Sequence, residues 1–161
     1  VARLPGRPRD RSPLDELTPR EREILTLMAE GRSNHGIAEA LVLDPTCIDP
    51  YYRRTVRVSM GEVLLLDVAR CTDWPAGIHR LHDAGLETWA MTPAGHATDI
   101  WEMGVPDRLA IVLGAEGTGL RADTLRLTSH RVRIPISSDV DSLNVGHAAA
   151  AAFAITARSR E

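Results

Sequence analysis

The chain contains no lysine: all 19 of its basic side chains are arginine. An all-arginine set suits phosphate recognition through bidentate forks, and it follows equally from a coding bias toward arginine and alanine. No strong charge of either sign is present. A net charge of −3 and a pI near 6.1 exclude a broadly basic surface, so any nucleic-acid contact must be local. Cysteine is scarce as well. Cys47 and Cys71 stand without CxxC or Cys/His spacing, so neither a zinc site nor a disulfide scaffold is indicated. The histidines lack metal spacing too; His79 and His82 fall one turn apart with no third ligand nearby, and no metal is expected. No apolar run approaches the roughly 18 residues of a membrane span, and no signal peptide is visible. The expectation is a cytoplasmic protein with no membrane partner.

What is present begins with a tail. Residues 1–13, VARLPGRPRDRSP, combine four arginines with three prolines and almost nothing apolar to bury, which predicts disorder. Residues 14–39 then carry helix signals. Thr18 is an N-cap, Pro19 a first helical residue and Glu21 the partner of a capping box. Ile24, Leu25, Leu27 and Met28 form an apolar face and Gly31 closes it; Ser33 starts a second helix through Ile37, Ala38 and Leu41. Two short helices split by a glycine-containing turn suggest a partial helix-turn-helix. A recognition helix should follow, but Pro45 and Pro50 fall where it would lie, and an interior proline costs about 3 kcal/mol.

From residue 40 to 161 the pattern becomes α/β. Strands are predicted at 40–43, 62–66, 87–91, 109–113 and 131–134. Helices are predicted at 49–58, 75–84, 122–127 and 143–157. Alternation of apolar strands with helices argues a mostly parallel sheet covered by flanking helices, with a short helical N-terminal segment in front. Trp74, Trp89 and Trp101 are expected as core or interface anchors.

Two segments carry the chemistry. In LAIVLGAEGTGL (109–120) a β-rich run ends at Gly114 and enters a loop with Gly117 and Gly119. Glycines after a strand let backbone groups approach a ligand, although a tight turn explains the same residues. Glu116 places a carboxylate there, suited to polar work or to an ordinary helix N-terminus. In RVRIPISSDVDSLNVGHAAAAAFAI (131–155) a strand stops at Pro135 and a polar loop turns into an alanine-rich helix capped by Ser142 or Asp141. Capping accounts for one of these residues but not for Ser142, Leu143 and Asn144 in succession, with Asn144 in the helix's first turn. Asp139 and Asp141 are better explained as a solvated loop and a cap than as a carboxylate pair.

Together these segments resemble motifs two and three of the SpoU/TrmH family, the SPOUT class of S-adenosylmethionine-dependent RNA 2′-O-ribose methyltransferases. The resemblance implies a C-terminal trefoil knot, a homodimer, S-adenosylmethionine as cofactor and tRNA or rRNA as substrate. Positions matching Gly114, Ile134 and Leu143 contact the cofactor in that family, with Leu113, Gly117 and Ile136 beside them. Glu116, Ser142 and Asn144 match polar positions of the catalytic pocket. The implied reaction is in-line attack of a ribose 2′-hydroxyl on the methyl carbon of a sulfonium, with the hydroxyl proton accepted as attack proceeds.

Arg53, Arg54 and Arg57, next to Tyr51 and Tyr52, form a compact basic group. Arg53 and Arg57 share a helix face, as RNA-phosphate contacts or as a solvated charged face. With Ser59 and Gly61 the pattern RRxxRxSxG matches the family, which favours binding. The family's first motif, N-x-G-x-x-x-R, is absent: its nearest counterpart, Asn34 to Ala40, ends in alanine where the arginine should stand. That departure keeps a second outcome open, a catalytically silent relative that binds cofactor or RNA. A third is a DNA-binding regulator, because LTPREREILTLMAEGRSNHGIAEAL resembles the opening of a LuxR-type DNA-binding domain.

Overall fold

A computed structural model describes residues 40–137 and 142–158; the tail and the helix-turn-helix-like segment at 1–39 lie outside the described residues, apart from the last residues of the second predicted helix. Ala40 and Leu41 are not helical. They open β1 (Ala40–Leu43), which pairs in parallel with β2 (Asp67–Arg70), Ala40 opposite Asp67 and Leu43 opposite Arg70.

Between these strands runs α1 (Arg53–Val58), a single exposed helical segment with no buried residue. The strand predicted at 62–66 is instead a 3₁₀ turn, Glu62–Leu65, and the strand lies just beyond it as β2. Met60 and Gly61 hold φ of 54° and 88°, a left-handed pair that reverses the chain after α1. The reversal delays the extended segment until it reaches the hydrogen-bonding edge of β1, so pairing overrides the apolar run Val63–Leu66.

The remaining strands form a second sheet in the order β4–β6–β3–β5, every pair parallel: β3 (Glu87–Met91), β4 (Thr98–Asp99), β5 (Leu109–Val112) and β6 (His130–Arg133). The two-residue strand β4 is too short to leave a periodic signature. α2 (Trp74–Asp83) starts at Asp73, whose side chain accepts from the Ala76 amide at 3.2 Å, with Pro75 in its first turn. α3 (Ala122–Leu127) and α4 (Val145–Arg158) complete the layers.

Alternation along the strands builds a core on each face. On one face Val112 joins Ile78, Leu81 and Leu86, with Trp74, Ala110, Leu120 and Leu127 packed around them under α2 and α3. On the other, Trp89, Ile100 and Val132 meet Ala152 of α4, together with Leu109, Ile111 and Ile134. Trp89 is fully buried and donates to Glu87 Oε1, Trp74 is half-buried and donates to Thr124 Oγ1, and Trp101 is exposed. One tryptophan is thus a core residue, one a core edge, and one a surface residue.

Candidate functional site

β3 lies between β5 and β6 and is parallel to both, so the loops leaving their C-terminal ends emerge side by side. In open α/β sheets, ligands bind in the crevice beyond such strand ends. The loop after β5 is closed on itself. Ala115 and Gly119 form an antiparallel bridge, the Gly119 amide donates to Ala115 O at 2.9 Å, and the Thr118 amide donates to Glu116 O at 3.1 Å. Gly114 is required by this closure, because a Cβ there would lie 2.3 Å from the Gly119 carbonyl carbon and 2.5 Å from the Leu120 nitrogen. Gly117 turns the tip at φ 82°, with nothing within 4 Å of where a Cβ would stand. Glu116 is exposed on this loop.

The second segment reaches the first through one side chain. Asn144 precedes α4, and its Oδ1 accepts from the Gly146 amide at 2.9 Å and the His147 amide at 3.4 Å. The Ala148 amide donates to its backbone oxygen. Asn144 is therefore the N-cap, not a first-turn residue, and the cap expected at Ser142 or Asp141 sits two or three residues further on; Asp141 itself lies outside the described residues. With Oδ1 occupied by helix amides, Nδ2 must face away, and it donates to Glu116 Oε1 at 2.6 Å. Two expected pocket residues, 28 positions apart in sequence, are thereby in direct contact.

The other expected residues differ in exposure. Leu113 follows β5 half-buried, Ile134 packs half-buried on the second core, and Ile136 is half-buried beyond it. Ser142 and Leu143 are exposed just before the cap. Arg53, Arg54 and Arg57 are exposed on α1, away from any core. Sequence reasoning passed over the loop after β3. Thr92 donates its amide to Val132 O at 2.9 Å, and Gly95 has open space where a Cβ would stand. Strand order alone places Thr92–His96 between the two expected ligand segments. Its sole sequence signal, Pro93 and Gly95 after an apolar strand, marks any loop.

Ala40, the residue standing where the first motif needs arginine, is in a strand opposite Asp67. Among the described residues no group of three or more His, Cys, Asp or Glu side chains is arranged to hold a metal.

A parallel α/β layer with a closed glycine loop and a polar bridge at its strand ends has the architecture in which open α/β sheets bind ligands. The chain belongs to the SpoU rRNA Methylase family, whose model matches residues 32–154 and so begins inside the stretch that resembled a DNA-binding segment. It is 48% identical over 124 residues to an uncharacterized tRNA/rRNA methyltransferase of Mycobacterium tuberculosis, covering 75% of this chain and 43% of that one. It is 32% identical to the 23S rRNA (guanosine-2′-O-)-methyltransferase RlmB of Vibrio parahaemolyticus, covering 68% of this chain and 44% of that one. Its fold superposes with a TM-score of 0.69 on an AdoMet-bound rRNA methyltransferase from Sinorhizobium meliloti, at 25% identity, over 84% of this chain and 49% of that chain. The chain thus spans less than half the length of these curated relatives.

Proposed function

We propose that this domain binds S-adenosylmethionine and transfers its methyl group to a ribose 2′-hydroxyl of tRNA or rRNA. The observation that carries the reading is the Asn144–Glu116 hydrogen bond, which joins the two motif-bearing loops at the strand ends. The residues present suit the cofactor. Leu113, Ile134, Ile136 and Leu143 offer apolar surface to an adenine ring. The open tip at Gly117 leaves backbone groups accessible, and Glu116 supplies a negative charge complementary to a sulfonium. The cofactor, when bound, supplies the methyl group already activated as a sulfonium, so no metal is required.

The chain's own groups then align the reactants. Asn144 fixes the Glu116 carboxylate by donating to it, so this polar point needs no reorganisation when the ribose arrives. Ser142 adds a hydroxyl on the same approach. Arg53 and Arg57, exposed and one turn apart on α1, hold RNA phosphates, with Arg54, Tyr51 and Tyr52 beside them. A homodimer and a C-terminal trefoil knot belong to this proposal, as does a cytoplasmic location; no helix among the described residues is long and apolar enough to cross a membrane.

The test is transfer of labelled methyl from S-adenosylmethionine to bulk tRNA and rRNA, followed by alkaline digestion. A 2′-O-methyl group blocks cleavage of the adjoining phosphodiester, so label in alkali-resistant dinucleotides is the expected result, and label confined to mononucleotides overturns the ribose assignment. One observation favours a second reading. The sequence holds no N-x-G-x-x-x-R motif, so the family's activating arginine has no counterpart in this chain. Tight S-adenosylhomocysteine binding with no transfer to any RNA would establish the chain as a binding-only relative.

A further inference from the structure

The glycine loop has a second anchor that neither motif supplies. Its far end runs through Leu120, which packs on the first core, into Arg121 at the start of α3. Arg121 Nη2 lies 3.1 Å from Asp44 Oδ2, a contact between residues 77 apart in sequence. Asp44 follows β1 directly and is itself held. Its Oδ1 accepts from both the amide and the hydroxyl of Thr46. The loop it opens is gripped from β2, where the Arg70 guanidinium donates to the carbonyl oxygens of Asp44, Pro45, Cys47 and Ile48, the shortest bond being 2.7 Å to Cys47. That loop leads into α1 and its arginines.

We propose that Asp44 and Arg121 are positioning residues of the cofactor site: their ion pair ties the exit of the glycine loop to the rigid loop after β1 and sets the loop's ligand-ready shape without touching the ligand. The inference rests on the function proposed above. Three charged groups bear on Asp44 in this contact: Arg121, Arg70 and, through Arg121, Asp123. Asp123 Oδ1 stands 3.5 Å from Arg121 Nε, so loss of the Asp44 charge leaves the guanidinium to Asp123 and shifts the loop exit toward α3. Burial raises the Asp44 carboxyl, but the Thr46 hydrogen bonds and the Arg121 and Arg70 charges outweigh it and hold the group below its ordinary 3.8. The carboxylate is therefore charged wherever the ligand would bind. The Arg121 side chain is 52% exposed and the Asp44 side chain 19%, so the pair is too weak to decide folding and strong enough to bias one loop.

The experiment is calorimetric titration of S-adenosylhomocysteine into the full chain and its Asp44→Asn, Arg121→Gln, Arg121→Lys and Asp44→Asn/Arg121→Gln variants, with a melting curve for each. Each neutralising variant should weaken binding up to about fivefold, as one partly exposed pair can. The double variant should be no weaker than either single one, Arg121→Lys should recover part of the loss, and melting should be nearly unchanged. Affinities within about 1.5-fold of the parent, or losses that add in the double variant, overturn the positioning role. A parent chain that takes up no S-adenosylhomocysteine overturns the cofactor reading itself, a separate outcome from equal binding by all five proteins.

Discussion

The two sheets of this molecule are stabilised differently. The four-stranded sheet buries isoleucine and valine on both faces and tryptophan on one, and closes its glycine loop with backbone contacts. Among the described residues the β1–β2 half contributes Val63, Ala69 and Cys71 to the core, and leaves Ile48, Met60 and Leu65 at least three-quarters exposed. Its loop is shaped by polar contacts instead, above all from Arg70. The difference explains why the polar bridge at the strand ends belongs to the larger sheet, since a preorganised site needs rigid supports. The smaller half presents charge and apolar surface and is joined to the exit of the glycine loop through the Asp44–Arg121 pair.

Substitutions can sharpen or break this contrast. The largest effect is expected at Trp89, fully buried between the sheet and α4: Trp89→Ala should cost about 3–5 kcal/mol in chemical denaturation. Gly114→Ala comes next. Its Cβ meets backbone rather than a flexible side chain, so the loop must open, at about 1–3 kcal/mol, and S-adenosylhomocysteine binding should disappear. Binding that survives Gly114→Ala would show that loop closure is irrelevant to the site.

Asn144 separates capping from pocket chemistry. Asn144→Ala should lose about 1 kcal/mol of stability with the cap. Asn144→Asp keeps a cap acceptor but sets a second carboxylate against Glu116, so it should retain more stability than alanine while binding no better. Parent-like binding by Asn144→Asp would reduce Asn144 to a cap.

The smaller half yields the smaller effects. The Asp44 carboxyl is held low, so its contribution is fully present at neutral pH and fades as pH falls through the folded value, below 3.8. Any melting-temperature gap between parent and Asp44→Asn should therefore be small, constant near neutrality and closing in acid. A gap that widened on acidification would contradict this sign. Leu65→Ser, at an 80% exposed position, should change stability by less than about 0.5 kcal/mol. A larger loss would mean that this half is covered in solution.

Much of the larger sheet was legible in the chain. β3 and the helix at α3 fall where periodicity placed them, and β5 and β6 within a residue or so; β3 and β5 are short, mostly apolar runs set off by Gly or Pro. In the smaller half β1 falls where it was expected and its partner strand does not. In Glu62–Arg70 the more apolar half became a 3₁₀ turn and the more polar half the strand, since hydrogen bonding to β1 outweighed hydropathy. Family membership was readable from the motifs at 109–120 and 131–155, while the resemblance to a DNA-binding opening rested on two short helices that lie almost wholly outside the described residues.

By itself the sequence determined residue chemistry: a glycine-rich turn after a strand, a carboxylate within it, a Ser-Leu-Asn run before an alanine-rich helix, and arginines one turn apart. These are local properties, set by backbone freedom and side-chain type over a few residues. Only the tertiary structure decided that Asn144 spends its oxygen on helix amides and its nitrogen on Glu116. It also decided that the β3 loop lies between the two motifs, and that Arg121 meets Asp44. Each joins residues distant along the chain, and their encounter depends on strand order and packing, which no local pattern encodes.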